Sequence, residues 1–181
     1  MVFSNMRLAP TSNRGSRDRQ MKLLQRITRT HAGPAVLLIR ILVGWVFVSE
    51  GIQKFLYPDQ VGAGRFERIG IAAPHVMAPL VGAVEITCGS LILAGLLTRL
   101  AALPLLAVMV TALVSTKVPI LLARGFGPFS LPKLSHYGFW SMLHEARTDI
   151  SMVLGLIFLL IVGAGSCSLD ARLIGKHPVR V

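Results

Sequence analysis

Four apolar runs, each about the length of one bilayer crossing, constrain this chain more than any other feature. They extend from Pro34 to about Tyr57, from Val76 to Leu97, from Leu100 to Leu122 and from about Ile150 to Leu169. A bilayer core offers no water to satisfy backbone N–H and C=O groups, so a spanning segment must close its own hydrogen bonds. Runs of about 20 residues without period-2 alternation do so as helices, not barrel strands. The expected fold is all-α: an integral membrane four-helix bundle. Composition agrees, since 53% hydrophobic against 15% charged residues is more apolar than a soluble domain of 181 residues carries.

The runs divide the chain. Residues 1–33 form a basic tail expected to be disordered, 34–173 the transmembrane domain, and 174–181 a basic C-terminal tail. The N-terminal stretch has no apolar core that would make a cleaved signal, and translation could begin at Met1 or at Met21. An Arg-rich, acid-poor start also resembles a mitochondrial presequence, but a solvated basic tail before a first membrane helix is the simpler account. Cys88 and Cys167 fall in different apolar segments without C-x-x-C spacing, which argues against a structural disulfide.

A net charge of +11 would suggest nucleic acid for a soluble protein. Here the placement of charge decides instead, and no nucleic-acid partner is expected; the expected environment is membrane lipid. Seven basic residues precede the first run (Arg7, Arg14, Arg17, Arg19, Lys22, Arg26 and Arg29), Arg99 lies in the turn between the second and third, and Arg172, Lys176 and Arg180 follow the fourth. Arg65, Arg68, Arg124, Lys133 and Arg147 lie on the other side. The positive-inside rule therefore puts both termini in the cytoplasm. Thr98 and Arg99 alone separate the second and third runs, whereas residues 58–75 and 123–149 form longer outer connections.

Polar residues inside the runs are the candidate site. Arg40, Gly44, Phe47, Gly51 and Lys54 recur at spacings of four and three, a single stripe of the first helix. Gly82, Glu85 and Gly89 make a similar stripe on the second. Small residues admit close helix approach and charged side chains avoid lipid, so both stripes should face protein. Glu50 precedes Lys54 by four residues, Lys117 lies near the outer end of the third helix, and Asp149 is expected to open the fourth. Glu50, Lys54, Glu85, Lys117 and Asp149 are thus expected in the outer half. Arg40 and Lys117 are expected to snorkel to the interface; Lys54 has both routes open; Glu85 has none, and a central acid costs ~2.5–3.5 kcal/mol on insertion scales.

Trp45 is expected to pack inside the bundle, and Tyr57, Tyr137 and Trp140 to form an interfacial belt. His75, His136, His144 and Glu145 lack the spacing of a metal motif, and no metal is expected.

Taken together, Arg40-x3-Gly44-x2-Phe47-x3-Gly51-x2-Lys54-Phe55 resembles the first-helix signature of the DoxX family of small bacterial membrane proteins. Glu85, Gly89 and the run Gly95 to Ala102, then Glu145 to Asp149, then Gly163-Ala164-Gly165 and Ser168-Leu169-Asp170, are similar to later segments of that family. The resemblance implies a four-helix inner-membrane protein of a family named for a subunit associated with thiosulfate:quinone oxidoreduction. The motif positions it carries over are Arg40, Lys54, Glu85 and Asp149. On that basis the first expectation is a redox-associated protein with an outer pocket for a quinone or small sulfur-containing substrate. Lys54 and Glu85 would be its catalytic residues, and Glu50, Lys117 and Asp149 its substrate-binding residues. Arg40, Gly44, Gly51, Gly89 and Arg99 would be structural. No redox cofactor site is visible, so a bound quinone and a redox partner subunit, or a homo-oligomer, are the implied companions. The alternatives are a non-catalytic scaffold for redox proteins and a small-solute transporter, the latter hinted at by the similar placement of Lys54/Glu85 and Lys117/Asp149. The stretch Ala123 to Leu143 is read as a loop, with a lid or partner contact as the alternative.

Overall fold

A computed structural model describes residues 33–175. The two basic tails, the choice of start and the flanking basic residues of the tails lie outside the described residues, apart from positions at the inner edges. Among the described residues every regular element is helical, and the only extended pairing is an isolated bridge between Phe126 and Phe129.

The order is α1 (Val36–Leu56), α2 (Ala63–Ile69), α3 (Pro74–Ala94), α4 (Thr98–Ala112) running through a π-helical turn (Leu113–Lys117) into α5 (Val118–Leu122), α6 (Phe139–Val162) and α7 (Leu169–Gly175). Among the described residues three helices are long and apolar enough to span a bilayer: α1, α3 and the continuous Thr98–Leu122 segment. The fourth long helix, α6, has 24 residues but carries Glu145, Arg147 and Asp149 in its first half.

Several boundaries differ from the sequence reading. Helix α6 begins at Phe139, so Asp149 lies inside it and does not open it. The three charges there read as a loop, yet one face of the helix buries Ala146 and Met152 and so continues the apolar seam. The tight turn is Gly95-Leu96-Leu97, and Thr98 and Arg99 already belong to the first turn of α4. Its cause is Gly95, which takes φ 69° and closes α3 with Gly95 N–H to Ile92 O at 3.1 Å and Leu96 N–H to Leu91 O at 3.0 Å. Pro119 cannot donate to the carbonyl of Ser115, and the helix widens just before it: Val118 N–H bonds back five residues to Leu113 O.

Side chains of four helices meet in one core: Val43 and Phe47 of α1, Ile92 of α3, Ala102 and Leu105 of α4, and Leu156 and Leu159 of α6. The opposite faces expose large apolar side chains, among them Leu38, Val76, Leu154 and Ile161, as a lipid-facing surface does. Trp45 belongs to that surface. It is 66% exposed, which corrects its expected place in the bundle, because it lies off the Arg40–Lys54 stripe that meets α3. Tyr57, Tyr137 and Trp140 are exposed as well.

The two long connections, residues 57–73 and 123–138, touch each other. Ser130 N–H donates to Ile69 O at 3.2 Å, and a Cβ on Gly70 would collide with Pro128 O. Tyr137 pins the 123–138 segment internally, donating to Pro132 O at 3.0 Å and accepting from Leu134 N–H at 3.2 Å.

Candidate functional site

The site begins with glycines. Helices α1 and α3 cross antiparallel, and their backbones touch where both lack a side chain. A Cβ on Gly51 would lie 2.7 Å from Gly82 O, and one on Gly44 would lie 2.9 Å from Gly89 O. The two predicted stripes are therefore one interface, held by the close approach that small residues permit in lipid.

That approach brings Lys54, one turn beyond Gly51, against Glu85, one turn beyond Gly82. Lys54 Nζ lies 2.6 Å from Glu85 Oε2, and the side chains are 9% and 5% exposed. Lys54 Nζ also donates to Glu50 O at 3.4 Å, while the Glu50 carboxylate stands 4.0 Å away and is 44% exposed. The helical Glu50–Lys54 pair is thus the weaker contact, and the buried cross-helix pair is the strong one. An ammonium has three donors and a carboxylate two oxygens. Among the described residues, one Lys54 donor and Glu85 Oε1 carry no hydrogen bond.

Lys117 and Asp149 form a second pair, with Nζ to Oδ2 at 3.2 Å and side chains 14% and 24% exposed. This corrects the expectation that Lys117 only snorkels. The π-helical turn carries it to α6, and Thr116 Oγ1 donates to Ala112 O at 2.6 Å within the same turn. Among the described residues no hydrogen bond or ion pair joins the two pairs, so the five predicted residues resolve into two constellations, not one cluster.

Arg40 does not snorkel. It is 2% exposed, and its guanidinium donates from Nε to Ile92 O at 2.8 Å, from Nη2 to Leu93 O, and from Nη1 to Cys167 O at 2.6 Å and Ala164 O at 3.2 Å. Ile92 O already accepts from Gly95 N–H, and the planar fork adds a second donor there while reaching the carbonyls of Leu93, Ala164 and Cys167 as well. Asp170, given no role from sequence, completes this end. It is 2% exposed and accepts from Leu97 N–H at 3.0 Å and Thr98 N–H at 3.5 Å, at the start of α4. Its partners lie more than 70 positions away, so no local pattern exposed the role. Arg99 donates from Nη2 to Ile161 O at 3.0 Å, tying α4 to the end of α6. Gly155 was also missed: a Cβ there would lie 2.6 Å from Val43 Cγ2, where α6 meets α1.

Among the described residues no group of three or more His, Cys, Asp or Glu could hold a metal, and Cys88 and Cys167 are free thiols.

The DoxX family model matches residues 35–118, which covers α1 to the end of the π-helical turn and includes Arg40, Lys54, Glu85 and Lys117. The uncharacterized membrane protein Rv3486 of Mycobacterium tuberculosis is 58% identical over 148 residues, covering 82% of this chain and 86% of that protein. This chain belongs to the DoxX family. No solved structure matches it. The DoxX match ends before Asp149 and Asp170, so the partners of Lys117 and of the α4 N-terminus come from the part of the chain beyond it.

Proposed function

We propose that this DoxX protein is a redox-associated component of the bacterial inner membrane, in which Lys54 and Glu85 form the binding site for a quinone or a small sulfur-containing substrate. The observation that carries the reading is the unused hydrogen-bonding capacity of that pair: an ammonium donor and a carboxylate oxygen left over on two side chains buried between two membrane helices. A quinone supplies two-electron, two-proton chemistry when bound. Its carbonyl oxygen, or the anionic oxygen of a sulfur oxyacid, is matched by the Lys54 donor, while Glu85 Oε1 accepts from a hydroxyl and exchanges its proton. Glu50, at the exposed edge, links Lys54 to the aqueous side. Electrons would travel between bound molecules or through a partner subunit.

In the proposed topology α6 is a fourth crossing and both termini are cytoplasmic, which puts Lys54–Glu85 and Lys117–Asp149 in the outer half. Support comes from Asp149: its pairing with Lys117 neutralises the charge that most opposes insertion of α6. A second reading, a non-catalytic scaffold for redox proteins, is favoured by the directness of the 2.6 Å contact, which satisfies much of each partner without any ligand.

Solvent extraction of the gently solubilised protein separates the two. The redox reading expects near-stoichiometric quinone in the wild type and loss of it in folded Lys54→Met and Glu85→Gln. Absence of quinone from the wild type, even after it is added back, would leave the scaffold reading.

A further inference from the structure

A concavity lies at the end of α3 away from the two long connections. Ala94, Ser166, Cys167, Ser168, Leu169 and Arg172 line a half-open cavity of about 290 Å³ where α3 ends and α6 turns into α7. Ala94 is the last residue of α3, nine positions beyond Glu85, which is about 13 Å along a helix. The cavity therefore sits where a membrane-spanning helix leaves the apolar layer.

Its walls are held in place by groups already described. Arg40 grips Cys167 O at 2.6 Å, and Ser168 Oγ is committed to Gly165 O at 2.6 Å and to Ala171 N–H at 3.1 Å. The Arg172 side chain is different. It is exposed and, among the described residues, makes no hydrogen bond or ion pair, so a cation without a partner lines a rigid hollow. Beside it Leu169 and Leu173, four residues apart on one face of α7, are 41% and 55% exposed. An apolar strip adjoining a cation is the pattern of a helix lying in the interface, and basic pockets at helix ends suit anionic headgroups. A guanidinium also matches the geometry of two phosphate oxygens.

We propose that this cavity binds the phosphate of an anionic phospholipid, with Arg172 on the phosphodiester and Leu169 and Leu173 against the acyl chains. The inference is independent of the redox reading, since no residue of the Lys54–Glu85 site takes part.

The same chemistry would accept a soluble phosphate, and the test separates the two sources. The purified full chain in detergent is titrated with phosphatidylglycerol or phosphatidylcholine, with bound lipid counted by native mass spectrometry. Wild type retains one phosphatidylglycerol in preference to phosphatidylcholine, and Arg172→Gln weakens the phosphatidylglycerol complex roughly five- to tenfold. Ser166→Trp, which fills the cavity and keeps Arg172, weakens it as well, while Arg124→Gln in the outer connection leaves it unchanged. All three variants are first matched to wild type by size-exclusion profile. Equal retention of the two lipids, or an unaltered complex in Arg172→Gln, overturns the proposal. So does displacement of the lipid by millimolar inorganic phosphate, which would make the ligand a soluble anion.

Discussion

Replacing Arg40 by Leu removes four N–H donors from four buried or part-buried carbonyls, one of which, Ile92 O, keeps Gly95 N–H. Those carbonyls belong to Ile92, Leu93, Ala164 and Cys167, so the change loosens the end of α3 and the α6–α7 link together. An orphaned buried acceptor costs about 1–3 kcal/mol, and relief from burying a cation offsets part of the sum, which leaves about 4 kcal/mol net. For a chain of this size that corresponds to a fall of roughly 8–16 °C in Tm. The assay is thermal unfolding in mild detergent, paired with maleimide labelling of Cys167 in a Cys88→Ser background. Labelling should accelerate, because the Cys167 carbonyl is one of the released groups. Arg40→Lys should restore only a minor part, since a point charge on a flexible stem cannot serve four divergent acceptors. A Tm within roughly 3 °C of wild type, with unchanged labelling, would refute the reasoning and return Arg40 to the headgroup region as a snorkelling residue.

Two further substitutions test the frame. Gly51→Ala places a Cβ 2.7 Å from Gly82 O and 2.8 Å from Ile86 Cγ1, and should cost about 1–3 kcal/mol in thermal stability as α1 and α3 are forced apart. Asp149→Asn strands the Lys117 ammonium 3.2 Å from its former partner and should destabilise by about 2–3 kcal/mol. Adding Lys117→Met should recover most of that loss, and a double-mutant cycle on Tm that shows no coupling would remove the pair from the account.

How much of this was readable in the sequence depends on the range of each interaction. The stripe Arg40–Gly44–Phe47–Gly51–Lys54 was visible because helical period alone aligns it, and its counterpart Gly82–Glu85–Gly89 for the same reason. That the two stripes form one seam follows from antiparallel packing, and the structure adds the 2.6 Å contact at its end. The start of α6 was not visible, since Glu145, Arg147 and Asp149 look like a loop until Lys117 is known to meet Asp149. The π-helical turn that aims Lys117 carries only an indirect signal, Pro119 two residues later. Arg40 and Asp170 were hardest, because each acts on backbone groups from distant segments, and backbone groups leave no trace in residue identity.

The central claim is that Lys54 and Glu85 are kept for binding and proton exchange, not for holding the fold. Apolar groups of similar size often replace a buried ion pair without loss of stability. The decisive measurement is therefore the quinone content of the double variant Lys54→Met/Glu85→Met, alongside its Tm. The account predicts a Tm within a few degrees of wild type and a protein stripped of quinone that the wild type retains. A stably folded double variant that still carries the wild-type complement of quinone would contradict it.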